Sequence, residues 1–304
     1  MRKNKKDKQM KQAIKFVIAP LTALLMVTCP GIALQDTAIT HENVSYGEHP
    51  NQILDFTKAD VKGPAPLVIY IHGGAFNAGS HDEVDQATVQ RYLDAGVHFA
   101  SVEYRFRKHA ELPAAFEDAV RALQFIRSKA EAWGIDKNRI GAYGGSAGGV
   151  LVSYLAWHDD FADPESTDPV ARESSRLTAV APKGVQATMD MSWWADNIPG
   201  FDKSGRKVSD TSDPKAQKLI RELSVINHIS ADDPPTFMTY RIKPDAPVPD
   251  NRQKIRGWVT HHVNFGIALE KKLKSKGVEV HLKYPGKETA FRDDVAFILH
   301  HLKK

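Results

Sequence analysis

One cysteine, Cys29, occurs in 304 residues. That scarcity removes disulfide scaffolds, Cys-ligated metal centres and a cysteine nucleophile from the body of the chain. No H-E-x-x-H pattern is present, and the adjacent His261 and His262 do not offer two ligands one helical turn apart, so neither a metal nor another cofactor is expected. Apolar runs of the ~20 residues that span a bilayer are also missing. Basic stripes are missing too. The formal charge is +4, but residues 1–15 alone carry +6, which leaves a slightly acidic remainder. Such a body has no electrostatic footprint for phosphate backbones, and no nucleic-acid partner is expected. Repeats and low-complexity blocks are absent beyond the N-terminus.

What is present begins with a basic head and an uncharged apolar run at 16–27, followed by Gly31-Ile32-Ala33 with small residues at the cleavage positions. This is the pattern of a secretory signal peptide over residues 1–33, and it predicts a secreted or periplasmic protein whose mature chain, 34–304, has no membrane span and no thiol. Met26-Val27-Thr28-Cys29 loosely matches a lipoprotein cleavage box, which keeps lipidation of Cys29 open.

Beyond residue 40, strand-like and helix-like segments alternate. Short leading strands at 43–46 and 52–56 precede a buried strand at 67–71, and further strands are expected at 97–106, 139–143, 178–186, 236–242 and 278–284. Pro113 opens a helix whose apolar face is Phe116, Ala119, Val120, Leu123 and Ile126, and Gly134 closes it. Helices at about 147–157, 263–276 and 292–302 complete the alternation. The pattern predicts a single α/β domain with a mostly parallel central sheet covered by helices on both faces. The irregular stretch 187–235, with Trp193, Trp194, Phe201 and a helical segment near 214–223, reads as a lid whose tryptophans touch substrate, or as a loop that those rings anchor to the body.

The chemistry enters at Gly144-Gly145-Ser146-Ala147-Gly148, a G-x-S-x-G sequence between a strand and a helix. The glycines permit the sharp turn that lifts Ser146 above the sheet as a nucleophile, and the Ala147 N–H then points at the substrate carbonyl oxygen. His72-Gly73-Gly74-Ala75-Phe76 follows the buried strand, where bare backbone N–H groups can approach a developing oxyanion.

With these two motifs, Ser101-Val102-Glu103-Tyr104-Arg105, Leu112-Pro113-Ala114-Ala115, Gly134-Ile135-Asp136 and Asn138-Arg139-Ile140 complete a set of phrases. From about residue 60 onward the chain resembles the α/β-hydrolase carboxylesterases related to hormone-sensitive lipase and to bacterial feruloyl and acetyl-xylan esterases. The resemblance implies the α/β-hydrolase fold, an oxyanion hole of Gly73, Gly74 and Ala147, and a catalytic acid at Asp245. This aspartate lies in a D-x-x-V-P phrase after the strand that Asp233-Pro234-Pro235 introduces, and an insertion at about 250–262 follows it.

One element of the family pattern is replaced. Where the family carries its histidine after the last strand, Pro285-Gly286-Lys287-Glu288-Thr289-Ala290-Phe291 places Thr289. A threonine cannot take a proton from Ser146 near neutral pH. His158, His281, His300 and His301 are expected far from the carboxyl edge of the sheet, whereas His261 and His262 precede a helix that starts there. His262 shares a face with Gly266, Leu269 and Leu273 and is the expected base, His261 the alternative. Two functions are compatible with this pattern: an exported serine carboxylesterase acting on small or carbohydrate-linked esters through an acyl-enzyme, or a hydrolase-fold module that binds such a ligand without turnover.

Overall fold

The computed structural model describes residues 38–208 and 212–304. The expected leader at 1–33, Cys29 included, lies outside the described residues. Among the described residues no helix is long and apolar enough to cross a membrane.

The chain runs β1 (His41–Ser45), β2 (Ile53–Thr57), β3 (Ala65–Ile71), α1 (Gln86–Asp94), β4 (His98–Val102), α2 (Ala114–Ser128), the single turn α3 (Ala130–Trp133), β5 (Ile135–Gly145), α4 (Ala147–Trp157), β6 (Ala179–Lys183), α5 (Met191–Asn197), α6 (Pro214–Leu223), β7 (Thr236–Thr239), α7 (Arg252–Thr260), α8 (Asn264–Ser275), β8 (Val280–Lys283) and α9 (Asp294–Leu302). The strands form one sheet in the order β1-β2-β4-β3-β5-β6-β7-β8. Only the β1–β2 and β2–β4 pairs are antiparallel, and every pair from β4 across to β8 is parallel. Strands that need a crossover helix between them become buried on both faces, and the sequence of β3, Ala-Pro-Leu-Val-Ile-Tyr-Ile, is the near-continuous apolar run that such burial selects.

Alternation along β3 shows the two faces. Leu67, Ile69 and Ile71 join a core with Phe116 and Ile126 of α2, Val150 and Leu151 of α4, and Leu269 of α8. Val68 points the other way, into a core with Val89 and Tyr92 of α1 and Phe297 and Ile298 of α9. Helices therefore cover both faces, as an α/β-hydrolase fold requires.

Local chemistry sets the element ends. Gly134 stops α3 in the left-handed conformation, φ 69°. Asp85, Asn251 and Asp293 cap α1, α7 and α9 by accepting first-turn backbone N–H groups. α4 is different, since all eleven of its residues are buried. Its sequence is apolar around the whole cylinder, which suits a helix held between sheet and neighbouring helices.

Candidate active site

Ser146 sits between the end of β5 and the first residue of α4 with φ 53° and ψ −118°. An L-residue avoids that region unless the surroundings impose it. Here the chain passes so close to β3 that a Cβ on Gly144 would lie 2.6 Å from the Ile71 carbonyl oxygen, and one on Gly148 would lie 2.0 Å from it. The glycines of the motif are thus a packing requirement, and the turn they permit pushes Ser146 out at the carboxyl edge of the sheet. Its own N–H donates to Lys183 O at 2.8 Å, so it is not free to serve an oxyanion. The N–H groups of the first turn of α4, beginning with Ala147, have no partner within the helix.

Gly73 lies alongside: a Cβ there would stand 2.8 Å from Gly145 O and 3.5 Å from Ser146 Cβ. The next residues are bent sharply, with positive φ at Gly74, Ala75 and Phe76, and the Gly74 carbonyl accepts from the Asn77 and Ala78 N–H groups. A buried polar cluster holds this strip. His72 Nε2 is 2.9 Å from Glu103 Oε1, and the Tyr104 hydroxyl donates to the carbonyls of His72 and Gly73 at 3.1 and 3.2 Å. Burial pushes the Glu103 carboxyl up, but the hydrogen bonds from His72 and His81 outweigh it and hold the group at about 2.

A cavity of about 660 Å³ opens over Ser146, lined by Gly73, Gly145, Lys183, Gly184, Thr239, Tyr240, Arg241, Ile242, His261 and Asp294. Of the two adjacent histidines, His261 faces this space. Its Nδ1 is 3.0 Å from Gly184 O, a carbonyl that can only accept, so Nδ1 carries the proton and Nε2 the lone pair. The Gln186 amide, 3.3 Å from the same nitrogen, already donates to Gly184 O and Thr260 O and so does not compete for that role. Ser146 N is bonded to the carbonyl of Lys183, the last residue of β6, and His261 Nδ1 to the carbonyl of the next residue, Gly184.

His262 is fully buried and does not line the cavity. Its Nδ1 accepts from Asn264 N at 3.2 Å, its ring lies 5.2 Å from that of Trp258, its Nε2 has no partner, and burial pushes its pKa down. The expectation that this ring looks inward holds, but inward is the core. The reason is that α7 ends at Thr260 and α8 starts only at Asn264, so His262 lies in the joint and does not continue the face of α8.

Asp245 is not brought to Ser146 either. Its side chain is 78% exposed, and its nearest charged partner is Lys243 Nζ at 3.5 Å. β7 stops at Thr239, and the proline-rich chain that follows runs out over the surface. Trp193 and Trp194 pack against Phe265 of α8, with centroids 5.3 and 4.8 Å away, and the Trp194 Nε1–H donates to Thr188 O at 2.8 Å. They anchor the segment 187–235 to the body, and none of its described residues lines the cavity. The Thr289 hydroxyl donates to Phe291 O at 2.8 Å, closing its own turn.

Sequence reasoning missed the ion pair of Lys183 Nζ and Asp294 Oδ2 at 2.7 Å, and also Arg241, all at the cavity wall. Each stands at or just beyond a strand's carboxyl end or at a helix start, the signal that would have marked it.

Among known proteins, the chain is 38% identical over 89 residues to an ethyl acetate hydrolase of Pseudomonas putida, covering 29% of this chain and 28% of that protein. It is 27% identical over 215 residues to esterase LipC of Mycobacterium tuberculosis, covering 68% of this chain and 52% of LipC. The chain thus spans about half or less of these relatives' length. The crystal structure of an acetyl ester-xyloside bifunctional hydrolase from Caldicellulosiruptor lactoaceticus superposes with a TM-score of 0.58 at 26% identity, covering 76% of this chain and 77% of that one. A family model described as BD-FAE matches residues 54–255, well over half of the chain, which therefore belongs to the BD-FAE family among the α/β-hydrolase carboxylesterases.

Proposed function

We propose that this protein is a serine carboxylesterase in which Ser146 is the nucleophile and His261 is the base. The observation that carries the reading is the strained Ser146 turn sharing one cavity with an imidazole whose proton-bearing nitrogen is fixed on Gly184 O. In the first half-reaction Ser146 Oγ attacks the ester carbonyl carbon while His261 Nε2 takes its proton. The carbonyl oxygen becomes an oxyanion, received by backbone N–H groups of Gly73, Gly74 and Ala147, each donor contributing about 3–4 kcal/mol. Collapse expels the alcohol, which takes the proton back from His261 and leaves an acyl-Ser146. Water then attacks that ester with His261 again as base, releasing the acid and the free serine. The Ser146 hydroxyl makes no hydrogen bond among the described residues. Nucleophile–base bonds of this kind commonly tighten only in the Michaelis complex.

A carbonyl stabilises the imidazolium less than a carboxylate does, so turnover is expected to be lower than that of an enzyme with a complete triad. Lys183, Arg241 and Asp294 give the cavity a polar wall. Together with the acetyl ester-xyloside hydrolase among the structural neighbours, that wall supports a small acyl group on a hydroxyl-rich, carbohydrate-like alcohol. The sequence at 1–33 supports export. The test is labelling of the full chain by a fluorophosphonate probe: a single adduct located on Ser146 is expected, and equal labelling of Ser146→Ala would remove the reading.

A further inference from the structure

The end of α4 remote from Ser146 holds a side-chain cluster that ester hydrolysis does not use. His158 follows the last residue of α4, Glu222 is the penultimate residue of α6, and His228 follows the short 3-10 turn Val225–Asn227. Taking one ligand atom from each residue, the three lie within 4.8 Å of one another. Twelve residues of helical rise separate His158 from Ser146, about 18 Å. The cluster is therefore no part of the esterase cavity.

The hydrogen bonds around it sort the protons. His228 Nε2 is 2.6 Å from the Glu222 backbone carbonyl, and His158 Nδ1 is 3.2 Å from Asp159 O. Carbonyl oxygens only accept, so both of those nitrogens donate. That leaves His158 Nε2 and His228 Nδ1 as the ring nitrogens that no carbonyl occupies. His158 Nε2 stands 3.2 Å from Glu222 Oε1, and that same oxygen accepts from the Tyr154 hydroxyl at 2.7 Å. Imidazole nitrogens from two histidines and a carboxylate oxygen converge there, the donor types that ligate a divalent cation.

We propose that His158, Glu222 and His228 form a binding site for a zinc-class divalent ion. Two imidazoles and one carboxylate are a zinc donor set, with the fourth position left to water. Bonds of about 2.0–2.1 Å in a tetrahedral site place ligand atoms roughly 3.3 Å apart, and His158 Nε2 and Glu222 Oε1 already stand at that separation. Backbone carbonyls behind both histidines and a tyrosine hydroxyl behind the glutamate are the outer partners that orient such ligands. The role is a clip. α6 buries only Leu223 fully, and an ion bound through Glu222 and His228 would fasten the segment containing α6 to the end of α4.

The experiment uses the full chain, freed of metal with a chelator and titrated with zinc chloride by calorimetry and by thermal unfolding. One zinc per chain is expected, with a Tm rise of about 5 °C at a hundredfold excess over Kd. Both signals should vanish in His228→Ala and in Glu222→Gln and persist in His300→Ala, while ester hydrolysis stays the same with and without zinc. Glu222→Gln changes a side chain that is 42% exposed, so it decides the matter even if His228→Ala does not fold. Absence of saturable binding, or binding unchanged in Glu222→Gln, overturns the site.

Discussion

Gly148 occupies a place where a side chain would meet backbone on two sides, with a Cβ 2.0 Å from Ile71 O and 2.5 Å from His72 O. Backbone of the central strand cannot yield as a flexible side chain would. Gly148→Ala is therefore expected to destabilise by at least about 3 kcal/mol, a fall in Tm of roughly 6–12 °C. Gly257 is the counter-case, an exposed glycine within α7 with nothing near its absent Cβ. Gly257→Ala should stabilise by about 0.5–1 kcal/mol. Thermal unfolding of the two variants checks both signs, and equal shifts would mean that the close approach does not govern this turn. The same contrast explains what single residues disclose in the sequence. Ser146 was legible because its conformation is written into its glycine neighbours. Asp245 and His262 were misplaced because their surroundings depend on where β7 ends and α8 begins, and boundaries are the least legible part of a sequence.

At the scale of elements, the strip bearing Gly73 is held by Glu103, which directly follows β4 and binds His72 and His81 from the loop after β3. The Glu103 carboxyl titrates at about 2 in the fold against 4.5 as its ordinary value. A depressed folded pKa gives stability that is complete above about pH 4.5 and is lost as pH falls through 2, on the order of 3 kcal/mol. His81 works in the other direction. Burial lowers its pKa, but Glu103, Asp55 and Asp82 together raise it above 6.5, so its share is complete below pH 6.5 and is lost as pH rises through the folded value. Urea unfolding from pH 2 to 8 should show this cluster contributing most between about 4.5 and 6.5, with the acid limb flattened in Glu103→Gln. An unchanged acid slope in that variant would mean that other carboxylates set it. Of the elements at this edge, β3 was readable because it is a near-continuous apolar run, and α4 because it is apolar throughout. Helix α7 was hidden inside what reads as an insertion at 250–262. Its fully buried positions are only Ile255 and Val259.

At the scale of the molecule, the sheet brings residues 73, 146, 183–184, 240–242, 261 and 294 to one edge from across more than two hundred positions. Parallel strands deliver loops to their carboxyl ends, and fold class could be read from the alternation of strands and helices. The identity of the base could not. It depends on how the joint between α7 and α8 turns two neighbouring histidines, one into the cavity and one into the core. Hydrolysis of p-nitrophenyl acetate, measured side by side in wild type, His261→Ala and His262→Ala, tests the account most directly. The Ser146–His261 site predicts a loss of about 10⁴ or more in kcat for His261→Ala and a rate within a few-fold of wild type for folded His262→Ala. An undiminished His261→Ala enzyme, or a collapse confined to His262→Ala, would contradict it.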